Sequence, residues 1–209
     1  MSDAWYWQSY RDYEAMAPEP VEPWRCFDER AGATPVDPWY FYQDTWAFRR
    51  TVANGPSWLL DVGSTALLVG ILAQMLPVTS LDMRPLPVSL PALTCMCGDI
   101  CALPFDDGSV PMASSLSVIE HVGLGRYGDP LDAHGSERAS RELWRVLKPG
   151  GRLLLSFPTA DTLRTLFNAH RLLPVDLVES WLSGCERTAG GMIDGGATRV
   201  WCAEYRKAA

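Results

Sequence analysis

From Ser57 onward the chain alternates short apolar runs with helical patterns, and that alternation most limits what it can fold into. Trp58-Leu59-Leu60-Asp61-Val62 is an apolar run ended by Gly63, the pattern of a strand buried on both faces of a parallel sheet. Thr65 to Leu76 reads as a helix, apolar nearly all round and stopped by Pro77, so more than one of its faces needs cover. Val78–Leu81, Leu93–Met96 and Val110–Leu116 read as the second, third and fourth strands. Glu137–Leu147 is predicted helical, with Glu137–Arg141 and Arg138–Glu142 at i,i+4 spacing. Lys148-Pro149-Gly150-Gly151 forms a turn into a fifth strand, Arg152–Phe157. Pro174–Leu182 is predicted helical, and Thr198–Tyr205 a last strand with Val200, Cys202 and Glu204 on one face. Strands joined through helices imply a mostly parallel sheet with helices on both sides, the α/β class.

Residues 1–37 are rich in Trp, Tyr, Pro and acidic side chains without clear periodicity, and read as an irregular arm. Asp37-Pro38 then offers a cap and a first helical proline, opening a helix expected to reach about Val52 before Asn54-Gly55-Pro56 stops it. Two stripes, Trp39/Tyr42/Trp46/Arg50 and Phe41/Thr45/Phe48/Val52, would press this helix between the core and a second surface. The expected division is an arm and helix over 1–56 and an α/β domain over 57–209. The net charge of −7 disfavours nonspecific binding to nucleic acid. No apolar run approaches the about 20 residues of a membrane span, and the N-terminus lacks a basic then apolar leader, so a cytoplasmic protein is expected. Among six cysteines, Cys95, Cys97 and Cys101 stand closest, but C-x-C-x3-C lacks the paired knuckles of a structural zinc site. No metal is expected, and the thiols read as free. The apolar helix and aromatic arm leave surfaces for a homodimer.

Ligands of a doubly wound sheet bind beyond the carboxyl ends of the strands. Three segments fall there. Asp61-Val62-Gly63-Ser64-Thr65 lets the backbone approach a ligand at Gly63, ahead of a helix N-terminus. Asp82 ends the second strand at the distance from the glycine turn where an acidic side chain accepts ribose hydroxyls. Gly98-Asp99-Ile100 follows the third strand, where Asp99 can accept an adenine amino group and Ile100 can pack on the ring. Singly, Gly63, Asp82 and Asp99 are each equally readable as turn residues. The dinucleotide fingerprint G-x-G-x-x-G and the phosphate loop G-x4-G-K-[ST] are both absent. Among titratable groups, His121 and His170 are candidate bases. The glycine-rich loop 123–135 follows strand four; it either carries Arg126 and Tyr127 toward an acceptor, with Asp129 positioning the loop, or is a structural loop with Asp129-Pro130 as a turn.

In order and spacing, Leu60–Ser64, Leu81-Asp82, Gly98-Asp99-Ile100, Leu103–Ser109, Ile119–Val122 and Glu142–Gly151 resemble the class I S-adenosylmethionine-dependent methyltransferases. Tyr40–Ala47, Asp82–Leu86, Glu120–Pro130 and Phe167–Arg171 resemble a bacterial branch often associated with surface-polysaccharide biosynthesis. The resemblance implies a Rossmann-like, mostly parallel seven-stranded sheet and S-adenosylmethionine as cofactor. Asp61, Gly63 and Ser64 would flank its methionine part, Asp82 and Met83 the ribose and adenine, Asp99 and Ile100 the adenine, and Ser117 the sulfonium. The leading expectation is methylation of a small molecule or sugar on oxygen, with His121, Arg126, Tyr127 and His170 as the candidate residues on the acceptor side. Ser117 stands where similar quinone methyltransferases carry a Glu, which argues against a metal there. Thr65 stands where the superfamily usually has glycine, so a non-catalytic protein binding a nucleoside or a partner protein is the alternative.

Overall fold

The structure, a computed structural model, describes residues 2–26, 32–194 and 199–209. It divides into two compact units, residues 1–37 and 38–209. In the smaller unit, α1 (Asp3–Glu14) is a helix where the sequence reads as irregular. Ser2 caps it by accepting a hydrogen bond from the Trp5 N–H. Tyr6, Trp7 and Tyr10 sit edge to face along it, so its order comes from ring contacts and not from an apolar stripe. The helix predicted from Asp37-Pro38 is α2 (Pro38–Asn54). It lies in the larger unit with the sheet, whereas the sequence grouped it with the arm.

The larger unit is built on β1 (Leu59–Val62), β2 (Val78–Asp82), β3 (Leu93–Cys97), β4 (Val110–Leu116), β5 (Leu147–Pro158), β8 (Cys185–Asp194) and β9 (Arg199–Lys207). Between β5 and β8 lie β6 (Arg164–Leu166) and β7 (His170–Leu172), a separate hairpin. The sheet order is β3-β2-β1-β4-β5-β9-β8. The first five strands run parallel, and β9 pairs antiparallel with both β5 and β8. This is the mostly parallel seven-stranded sheet that the sequence implies. The sixth sheet strand, β8, and the β6–β7 hairpin were not read from the sequence. Thr198, the expected start of the last strand, lies outside the described residues.

Alternating side chains give the sheet two faces. One carries Leu60, Val62 and Leu155 and packs against α4 (Gly135–Val146) and α5 (Val175–Trp181) through Leu143, Trp144 and Val178. The other carries Leu59, Met112 and Leu154 and packs against α2 and α3 (Ala66–Leu72) through Ala47, Leu68 and Val69. This second face is partly polar: Asp61, Ser114, Ser156 and Glu204 are buried. Polar groups buried in a sheet need partners, and α2 supplies them. Its core stripe is therefore Gln43, Ala47 and Thr51, not either aromatic stripe expected from the sequence. Arg50 and Asn54 reach Glu204, Gln43 reaches Ser156, and Asp44 accepts from Thr65. On α3, Leu67, Ile71 and Met75 beyond it remain exposed, so its apolar circumference is only partly covered. On α4 the Glu137–Arg141 pair forms, but Arg138 turns to Asp132 and Glu142 to Arg145.

Candidate functional site

A cleft opens at the carboxyl ends of β1 to β4, lined by Val62, Gly63, Leu81, Asp82, Met83, Asp99, Ile100, Ser117 and Val118, with His121 and Tyr127 on the far wall. Its two ends differ chemically.

At the β2–β3 end the polar atoms are available. Asp82 Oδ1 accepts the Arg84 N–H at 2.7 Å, and Asp99 Oδ1 accepts the Cys101 N–H at 2.8 Å. Both side chains thus close turns, the structural role the sequence also allowed. One oxygen of each remains without a hydrogen bond among the described residues. Asp82 Oδ2 lies 3.7 Å from where a Cβ on Gly63 would stand, so it overhangs the glycine turn. Ile100 is nearly buried and Met83 half-exposed, which supplies apolar surface beside the two carboxylates.

At the β1–β4 end the polar atoms are engaged within the protein. Asp61 is fully buried, accepting from Ser114 Oγ at 2.6 Å and from the Ser64 N–H at 3.2 Å. Burial pushes its carboxyl up to about 6, against those hydrogen bonds. Ser64 Oγ accepts the Leu116 N–H. Thr65 caps α3 by accepting from the Leu68 N–H and donates to Asp44 at 2.5 Å. Ser117 has a positive φ of 57° and donates its hydroxyl to Gln43 Oε1 at 2.6 Å, while Trp39 Nε1 donates to Ser117 Oγ. A left-handed serine held by a buried network at a strand end is strain of the kind found at functional sites. Gly63 has φ 72°, and a Cβ there would meet both Val118 methyls at 3.1 Å. Only glycine leaves this cradle open.

The far wall is the loop 123–135 folded against the β6–β7 hairpin. Asp129 organises it, accepting the N–H groups of Gly123, Gly125 and Tyr127. Arg171, buried on β7, donates to the Val122 and Asp132 carbonyls and pins the loop. His121 Nδ1 lies 2.7 Å from the Ala169 carbonyl, which only accepts, so Nδ1 carries the proton. Its Nε2 then faces Glu120 Oε1 at 3.7 Å. Glu120 is buried with neither oxygen hydrogen-bonded, and burial pushes it up to about 8. Burial lowers His121 and His170, and the Arg126 guanidinium adds to both shifts. Tyr127 meets the His121 ring edge to face at 5.7 Å.

Of the residues singled out from the sequence, Gly63, Asp82, Met83, Asp99, Ile100, Ser117, His121 and Tyr127 line this one cleft. Asp61 and Ser64 lie behind it as supports of the glycine turn, because their polar atoms face β4. Arg126 and His170 stand on the wall behind Tyr127 and His121. Sequence reasoning missed Arg84, Val118 and the α2 groups Gln43 and Asp44. Arg84 had a signal, two residues past Asp82 at the same strand end. Gln43 had a fainter one, its i,i+4,i+8 spacing with Ala47 and Thr51.

A family described as "Caenorhabditis protein of unknown function, DUF268" matches residues 106–186, less than half of the chain. An uncharacterized 37.1 kDa protein in transposon TN4556 of Streptomyces fradiae is 40% identical over 75 residues, 36% of this chain and 19% of that protein. The chain therefore spans about a fifth of the length of the curated relative it matches. Solved structures are similar over most of the fold. The [4+2]-cyclase SpnF has a TM-score of 0.65 at 16% identity, covering 96% of this chain and 93% of that one. N-methyltransferase NodS from Bradyrhizobium japonicum WM9, in complex with S-adenosyl-L-homocysteine, has a TM-score of 0.64 at 17% identity, covering 97% and 98%. The 1,6-didemethyltoxoflavin-N1-methyltransferase of Burkholderia thailandensis has a TM-score of 0.59 at 14% identity, covering 88% and 99%. The chain thus has the Rossmann-like methyltransferase fold.

Proposed function

We propose that this protein is an S-adenosylmethionine-dependent methyltransferase acting on a hydroxyl of a small-molecule or sugar acceptor. The carrying observation is that Asp82, Asp99 and Ile100 meet over the Gly63 cradle in one cleft, each carboxylate with an oxygen still available. Those acceptors and surfaces fit an adenosine group: Asp82 Oδ2 for ribose hydroxyls, Asp99 for the adenine amino group, Met83 and Ile100 for the ring faces. The cradle at Gly63 fits the chain that leads from the ribose, with Ser117 near its end. Two fold neighbours were solved with S-adenosylhomocysteine bound, which supports the same cofactor here. When bound, S-adenosylmethionine supplies an electrophilic methyl group on a sulfonium. The protein's own part is alignment, because an in-line displacement depends on reactants held in register. Tyr127 and Arg126 frame the acceptor side. His121 and His170, kept neutral by burial and by Arg126, are in the state a base needs to take the acceptor's proton.

A second reading is favoured by the β1–β4 end. There the hydroxyls of Ser64, Thr65 and Ser117 are engaged internally, which would leave a site selective for a nucleoside without turnover. The cyclase among the fold neighbours shows that the fold alone does not specify methyl transfer. Calorimetry separates the readings. S-adenosylmethionine and S-adenosyl-L-homocysteine should bind far more tightly than adenosine, and Asp82→Ala should weaken both by at least about tenfold, or about 1.4 kcal/mol. No binding of either at millimolar concentration removes the transferase reading. Equal affinities for adenosine and the full cofactor favour the nucleoside protein.

A further inference from the structure

We propose that Arg84 and Tyr127 form a latch across the mouth of this cleft, which opens to admit an adenosine group and closes over it. The latch rests on reading the cleft as the adenosine site of a cofactor, and it adds how that site keeps its ligand. The two side chains belong to opposite walls, Arg84 to the segment leaving β2 and Tyr127 to the loop 123–135, and both line the cleft. The Arg84 guanidinium lies 4.4 Å from the Tyr127 ring centroid, so the walls touch there. Exposure places that contact at the solvent side. Leu81 and Val62 on the floor are 0% and 2% exposed, whereas the Arg84 side chain is 63% exposed and Tyr127 38%.

One side of the contact is fixed and the other can swing. Tyr127 is the post: its backbone N–H donates to Asp129 Oδ1 at 3.2 Å, and its ring meets His121 edge to face at 5.7 Å. Arg84 is the arm. Its root is tied to the carboxylate assigned to the ribose, because its backbone N–H donates to Asp82 Oδ1 at 2.7 Å. Beyond that root, the side chain makes no hydrogen bond among the described residues, and its Nε reaches Asp82 Oδ1 only at 4.0 Å. Rotation about the arginine's own bonds therefore parts the walls without a change in the backbone. A ligand on Asp82 Oδ2 lies beside the root of the arm, where the closed arm covers it. An exposed cation–π contact is weak, which suits a pair that must part for each ligand. Once the cleft is filled and water leaves the ring and the guanidinium, the same contact strengthens.

Stopped-flow release of S-adenosyl-L-homocysteine from full-length parent, R84A, Y127L, Y127F and the R84A/Y127L double variant tests this, with no acceptor present. Both side chains are exposed, so the variants should fold as the parent does. Release should quicken about fivefold in R84A and in Y127L, and stay within about twofold of the parent in Y127F, which keeps the ring. Because one contact joins the two residues, the double variant should release no faster than either single variant. In the free parent the Arg84 Hδ resonances should be shifted upfield by the ring, and Y127L should abolish that shift. An unshifted Arg84 in the parent, parental release in both single variants, or single effects that multiply in the double variant overturns the latch. Adenosine, measured on the same variants, keeps the two readings apart. If S-adenosyl-L-homocysteine binds and the variants do not change its release, the cofactor reading stands and the latch falls. If the parent binds adenosine but not S-adenosyl-L-homocysteine, and R84A and Y127L release adenosine faster, the latch stands and the transferase reading falls. If the parent binds neither, both fall.

Discussion

Gly63 shows how one residue couples conformation to the cleft. Its φ of 72° lies where an L side chain costs roughly 1–2 kcal/mol. An added Cβ would also press on Val118 and stand beside Asp82 Oδ2, the oxygen assigned to the ribose. Gly63→Ala should therefore lower urea stability by about 1–2 kcal/mol and cut S-adenosyl-L-homocysteine affinity by about tenfold or more. A variant with parental affinity would show that the ligand does not approach this turn. The glycine, Asp82 and Asp99 were legible in the sequence because their positions follow from where strands end. The facing of Asp61 was not. Its carboxylate turns to Ser114, 53 residues away, and only the β1–β4 pairing brings the two together. The same reason hid the state of His121, whose Nδ1 is engaged by Ala169 on a distant hairpin while its Nε2 faces Glu120 without a hydrogen bond.

At the scale of elements, α2 was visible as a helix but not in its orientation. Most of its large apolar residues are aromatic and fall on the two stripes that do not face the sheet, so hydrophobicity points the wrong way. The sheet face beneath it is polar, and the helix turns Gln43 inward to satisfy it. Gln43 Oε1 receives Ser117 and Ser156 hydroxyls, each at 2.6 Å, and Trp39 Nε1 at 3.3 Å. Gln43→Ala leaves those donors without their acceptor in a buried setting, so a loss of about 2 kcal/mol in urea unfolding is expected. Gln43→Leu should lose as much although it fills the space, since packing does not replace an acceptor. A leucine variant as stable as the parent would show that the network adds nothing. The β6–β7 hairpin and β8 escaped the sequence for another reason. The hairpin strands are three residues long, and β8 carries Ala189-Gly190-Gly191 on a mostly exposed edge, so neither shows a burial period.

Across the whole molecule, two buried carboxylates set opposite limits on pH stability. Glu204 joins the elements that close the sheet's α2 face. It takes Arg50 and Asn54 from α2, Arg152 from β5 and Thr188 from β8. Those cations and hydrogen bonds outweigh its burial and hold it down at about 2. A folded value below the ordinary carboxylate range stabilises fully above that range and is lost as pH falls toward 2. Glu120 has the reverse sign. Raised to about 8, it is protonated in the fold at neutral pH while the unfolded chain has already released its proton. Stability therefore declines as pH rises from the ordinary carboxylate range through about 8. Urea midpoints measured from about pH 2 to about pH 9 for the parent, Glu204→Gln and Glu120→Gln should separate the two limbs. Glu204→Gln should lose about 3 kcal/mol at neutral pH, the low end for a broken buried pair, because Arg50 and Arg152 keep some contact with water. Its acid limb should flatten. Glu120→Gln should keep the parent's acid limb and flatten the alkaline one, gaining most over the parent at the highest pH. If instead Glu120→Gln and the parent decline together above neutrality, Glu120 is ionised in the fold. The Nε2 of His121 would then face a carboxylate, a setting in which the imidazole holds its proton and is unfit to accept one from an acceptor.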